Sequence, residues 1–173
     1  MSQERGASSG HTAPGTQRTS VERVNVTLWS LIAACTVLGL GHHVDHALRD
    51  ATGWPFPGHA ISPFTPSLLV YPAIGILTVL TLRGVAGPGS WSLFTGLGAV
   101  FIAAVHFGPV ADDTISMVRN GYSTAVAGTA AVVWLTAQLT ALAATCACAA
   151  FVWARHRSRL HEHPHYLSHE GLS

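Results

Sequence analysis

The chain has 173 residues, 49% of them apolar and 10% charged, with no lysine and a formal net charge of +1. Soluble domains carry roughly 25% charged residues, so this balance excludes an ordinary soluble enzyme and identifies the fold class as all-α, a polytopic membrane protein. Near-neutral charge, with no basic stripe and interleaved aromatics, argues against nucleic acid as a partner, and the length accommodates one bundle without a separate soluble domain.

Residues 1–22 are rich in Gly, Ser, Thr and Gln and lack apolar periodicity, a composition predicted to give a disordered N-terminal tail. No cleavable signal peptide is expected, because the first apolar stretch is long, lies well inside the chain and lacks a small-x-small cleavage site. Residues 23–154 are then predicted to form a four-transmembrane-helix bundle, and residues 155–173 a His-rich cytoplasmic tail. The expected spans run from Val24 to Leu48, Pro66 to Leu82, Trp91 to Val110 and Thr124 to Trp153, which satisfy the requirement of ~20 mainly apolar residues for crossing a bilayer. The last is long enough to tilt or to project beyond the membrane.

Basic residues near a span are retained in the cytoplasm. Arg18, Arg23, Arg83, Arg155, Arg157 and Arg159 fall on one side of the expected bundle, and Arg49 and Arg119 on the other. Both termini are therefore expected to be cytoplasmic, with the protein in the plasma (inner) membrane. The linkers from Arg49 to Thr65 and from Ala111 to Ser123 are then extracytoplasmic. The first of them carries Trp54-Pro55-Phe56-Pro57-Gly58-His59, stiff and aromatic, suited either to capping the bundle or to anchoring at the headgroup level.

The first span ends in Gly41-His42-His43-Val44-Asp45-His46. A polar group in hydrocarbon costs several kcal/mol unless it finds a partner or water, so such residues face a bundle interior and often mark a site. At about 100° per residue, Asp45 and His46 lie roughly 60° and 40° to either side of His42, with His43 displaced to about 100°. His42, Asp45 and His46 thus share a face, and histidines four apart can hold one transition-metal ion while a carboxylate ligates it or orients an imidazole.

The third span supplies His106, followed by Asp112 and Asp113. His42 lies about 15 residues past Thr27 and His106 the same distance past Trp91, roughly 22 Å at helical rise, so the two reach similar depth. Continuation of the helix past Pro109 would return Asp113 to the face of His106, with Asp112 as its substitute. The predicted metal ligands are His42, Asp45, His46, His106 and Asp113, holding Zn, Cu or Fe. The alternative is haem b between His106 and His42 or His46.

A bland account also stands: Asp45 and Arg49, four apart, form an interfacial ion pair, and the histidines bond to carbonyls or water. Proton relay is a further possibility. A non-enzymatic role as accessory or structural subunit, in a homo-oligomer or larger membrane complex, suits the small size. Gly39, Gly41, Gly96 and Gly98 permit close helix approach, and Gln138, Thr136 and Thr140 offer bonds between helices. Cys146 and Cys148, two apart on a helix, point about 200° from each other and cannot chelate one ion together. His156, His161, His163, His165 and His169 form a second, polar group in which metal coordination is at best weak. No catalytic residue is assigned.

Overall fold

The computed structural model describes residues 15–49, 65–108 and 113–162. Helix α1 (Gly15–Leu48) starts ahead of the expected span, within the segment read as a tail. A 3-10 turn, Thr65–Leu69, leads directly into α2 (Val70–Leu82), followed by α3 (Pro88–Phe107), the short α4 (Ile115–Asn120) and α5 (Ala125–Glu162). All elements among the described residues are helical.

Three of the four expected spans are helices long and apolar enough to cross a membrane: Val26–Leu48, Pro88–Phe107 and Ala125–Arg159. The second, Pro66–Leu82, is an apolar but shorter helix. Its end is fixed by local chemistry. Gly84 adopts φ 73°, a left-handed conformation open to glycine. This lets the Val85 N–H reach the Leu80 carbonyl at 2.9 Å and the Gly84 N–H the Thr81 carbonyl at 3.0 Å, the paired bonds that close a helix C-terminus. Pro88, preorganised for a first helical position, then opens α3 behind Gly87.

α5 is the organising helix, packing against α1, α3 and α4. Its buried positions Ala131, Leu135, Gln138, Leu142, Thr145 and Ala149 alternate in steps of four and three, the period that keeps one seam facing a partner helix. α1 answers with Leu28, Ile32, Cys35, His42 and His46, spaced the same way apart from Gly39, whose position completes the series. The two run antiparallel: Cys35 Sγ lies 3.1 Å from Thr145 Oγ1, and the Trp134 indole donates to the Leu38 carbonyl at 2.9 Å. α3 runs parallel to α1, since Trp29 meets Trp91 at one end, with centroids 6.1 Å apart, and His42 meets His106 at the other, 5.1 Å apart.

The glycines serve α5 rather than a direct approach of α1 to α3. A Cβ at Gly41 would collide with the Trp134 ring, and one at Gly96 would stand 3.2 Å from Cys146 Sγ. Apolar side chains on the outer faces, among them Val37, Ile76, Val100 and Val133, are exposed, as expected of surfaces that meet lipid.

Candidate metal centre

His42 and His46 continue the buried seam of α1 at its C-terminal end, and His106 occupies the last turn of α3. Their exposures of 7%, 2% and 2% place three imidazoles in the interior of an apolar bundle, where each needs a partner. They find one another. His46 Nε2 lies 3.2 Å from His42 Nε2, and His106 Nε2 lies 3.4 Å from the same atom. One nitrogen from each of the three falls within 4.8 Å of the others, a group able to hold a metal ion.

Asp113 sets the orientation of two of these rings. The His106 Nδ1–H donates to the Asp113 carbonyl oxygen at 2.6 Å. A carbonyl only accepts, so the proton sits on Nδ1 and the Nε2 lone pair faces the cluster. The Asp113 carboxylate lies 3.5 Å from His46 Nδ1. Imidazoles that ligate metals commonly present this arrangement, with the outer ring nitrogen directed at a carbonyl or carboxylate. One proton on His42 Nε2 can bridge to one neighbour and not to both, whereas a cation among the three nitrogens satisfies them together.

Behind the imidazoles lies a charged layer. Arg49 donates to both oxygens of Asp113, Nη1 to Oδ1 at 3.0 Å and Nη2 to Oδ2 at 2.8 Å. It also donates from Nε and Nη2 to Asp45 Oδ2 at 3.0 and 2.7 Å. The Tyr122 hydroxyl donates to Asp45 Oδ1 at 2.7 Å. Burial first, and then this hydrogen bond to Asp45, push the phenol up to about 12, so it stays a donor. Two carboxylates against one guanidinium leave a surplus negative charge next to the histidines, an electrostatic setting that favours a bound cation.

The predicted site residues therefore fall into two layers. His42, His46 and His106 converge; Asp45 and Asp113 stand outside that group, bound by Arg49. The Asp45–Arg49 ion pair expected from their spacing is present, but it also holds Asp113 of a distant segment. Asp113 meets His106 from outside α3 and not by continued helical periodicity. α3 stops at Phe107, and Gly108 is extended, with φ −71° and ψ 165°, because the proline that follows disfavours the helical region for the residue before it. Asp112 lies outside the described residues.

His43 turns toward α2: its Nδ1–H donates to the Gly39 carbonyl at 2.9 Å, the Tyr71 hydroxyl oxygen lies 2.7 Å from the same nitrogen, and Nε2 accepts from Ser67 at 3.1 Å. The roles of Tyr122 and Tyr71 had no signal in the sequence. Among the described residues the Thr136 and Thr140 hydroxyls bond within their own helix, donating to the Val132 and Thr136 carbonyls at 2.9 and 2.8 Å, the local solution open to threonine in apolar surroundings. All three cysteines are free. The aromatic linker 54–59 lies outside the described residues, as do the side chains of His161, His163, His165 and His169; His156 is exposed.

A cavity of about 460 Å³ adjoins the cluster, with His42, His46 and His106 in its wall and mainly apolar side chains elsewhere. Fold and site together define a membrane-type helical protein with a buried three-histidine group. No family model, curated protein or solved structure matches this chain.

Proposed function

We propose that the chain is an integral membrane metalloprotein that holds one zinc-like transition-metal ion on His42, His46 and His106. The carrying observation is the convergence of three Nε2 atoms while the outer nitrogen of His106 is fixed by the Asp113 carbonyl. Metal–nitrogen bonds of 2.0–2.1 Å in tetrahedral geometry separate ligand nitrogens by about 3.3–3.4 Å. The observed 3.2 and 3.4 Å match two of the three separations of such a site, and the third pair of nitrogens lies within 4.8 Å.

The same spacing favours a single ion over haem. Axial imidazoles on opposite faces of one iron stand about 4 Å apart, with the macrocycle between them. Here His46 Nε2, 3.2 Å from His42 Nε2, lies close to where that ring would pass. Three protein ligands with an adjoining cavity also resemble metal sites that keep an open coordination position, in contrast to closed four-ligand structural sites. The Arg49 layer supplies orientation and compensating negative charge, so Asp45 and Asp113 act through the histidines.

Detergent-purified protein grown in zinc-containing medium is expected to carry one metal ion per chain by elemental analysis, with no Soret absorption. A Soret band with stoichiometric iron overturns the assignment in favour of haem, and purified protein that neither retains zinc nor takes up cobalt(II) overturns metal binding.

The site belongs to the extracytoplasmic end in this reading. Arg83, Arg155, Arg157 and Arg159 are exposed at the opposite end of the helices, where Arg155 and Arg157 stack on Phe151 and Trp153 at 4.4 and 4.6 Å, whereas at the site end Arg49 is neutralised by Asp45 and Asp113 and Arg119 is the one exposed arginine among the described residues. That asymmetry supports cytoplasmic termini. A reporter fused after Ser173 that needs cytoplasmic placement is expected to be active; activity only of a reporter that needs export reverses the orientation.

A further inference from the structure

We infer that the cavity beside the three histidines binds an amphiphile drawn from the bilayer, its polar head reaching both the metal position and Gln138 and its chain lying between α2 and the other helices. The inference rests on the metal reading above and adds the class of ligand.

Gln138 carries the first part. It is 4% exposed and belongs to the cavity wall, yet its Oε1 accepts no hydrogen bond among the described residues. An amide oxygen left unsatisfied in an apolar interior costs about 1–3 kcal/mol, and a donor on a bound head group, met by rotation of the amide into the cavity, would remove that cost. Its amide faces Gly39, where a Cβ would stand 3.4 Å from Gln138 Nε2. Gly39 is one helical turn, about 4.5 Å of rise, inward of His42. A head group that gives a lone pair to the ion and an O–H or N–H to Gln138 spans that turn.

α2 carries the second part. It contributes no buried residue and is tied at its two ends: Ser67 and Tyr71 hold His43, and the Trp91 indole donates to Thr81 at 2.9 Å. Between these ties the cavity continues along Val70, Ile74, Phe94 and Leu142, an apolar length suited to a hydrocarbon chain. Its volume of about 460 Å³ lies within the ~300–1,000 Å³ of small-molecule sites. A metal position at one end, an unsatisfied acceptor one turn deeper and an apolar slot beyond it describe a long-chain alcohol, hydroxamic acid or related head group that keeps an O–H or N–H when it binds the ion.

The test uses the full chain in lipid nanodiscs, loaded with cobalt(II) and titrated with octanohydroxamic acid or acetohydroxamic acid, which share a chelating head with an N–H donor and differ in chain. Both are expected to shift the cobalt absorption bands at one equivalent per chain. Ile74→Trp fills the slot from the helix that buries least, so it should retain cobalt and the response to acetohydroxamic acid while losing that to octanohydroxamic acid at least tenfold. Gln138→Leu should weaken both ligands about tenfold with cobalt retained. Octanohydroxamic acid that acts equally on wild type and Ile74→Trp, or fails to shift cobalt bound to the wild type, overturns the ligand proposal and leaves the metal site standing. Failure to bind cobalt overturns both.

Discussion

His106→Ala is expected to lower zinc affinity by more than about 100-fold, beyond the upper end of the range for residues that only orient a ligand. Among the described residues the imidazole has no replacement nearby: His43 is engaged with Gly39, Tyr71 and Ser67 on the α2 side, and Asp113 is held by Arg49. His42→Ala and His46→Ala should behave alike, while His161→Ala and His165→Ala should leave the affinity unchanged. Competition with a chromophoric chelator measures all five. Equal affinities across the set would dismantle the centre, since the three converging nitrogens would then have no part in binding.

The second large effect is on folding. Arg49 lies with its side chain 3% exposed between Asp45 at 10% and Asp113 at 2%. Removing one partner from a buried ionic group strands the remaining charge, at about 3–5 kcal/mol. Arg49→Met should therefore lose about that much stability in denaturant titration, with metal affinity falling as Asp113 leaves His46 and His106. Neutralising the carboxylates as well, in Arg49→Met/Asp45→Asn/Asp113→Asn, should restore most of the stability, because no uncompensated charge then remains, but not the metal affinity. A loss below about 1 kcal/mol for the single variant would show that water or another cation already balances the pair.

These two expectations separate what the histidines do from what the carboxylates do, a division the sequence blurred. Spacing alone placed Asp45 on the face of His42 and His46, and a carboxylate on that face serves equally as ligand or as ion-pair partner. The outcome depended on Arg49, whose guanidinium forks between Asp45 and an aspartate 64 positions away. Periodicity cannot register such a bond. The place of Asp113 in the site likewise depended on α3 stopping at Phe107, so that helical periodicity does not carry it there.

Gln138 shows the same limit from the other side. A glutamine in a long Ala-rich helix reads as glue between helices, and its neighbours Thr136 and Thr140 read alike. In the fold the threonines satisfy themselves on their own helix, and the glutamine faces a cavity with its oxygen unsatisfied. What distinguishes them is position on the seam of α5, visible only once α1 and α3 define which face is inside.

The sequence by itself determined the helical, membrane-type architecture, the approximate course of the apolar segments, the shared face of His42 and His46, and the matching depth of His106. These follow from helical rise, angular period and the cost of polar groups in hydrocarbon, which are local properties of the chain. Tertiary structure alone decided that three imidazole nitrogens converge while both aspartates turn to Arg49, that Tyr122 supports Asp45, and that the short α2 leaves a cavity beside the cluster. Those features arise from contacts between segments distant in sequence, whose geometry is set by how α1 and α3 seat against α5.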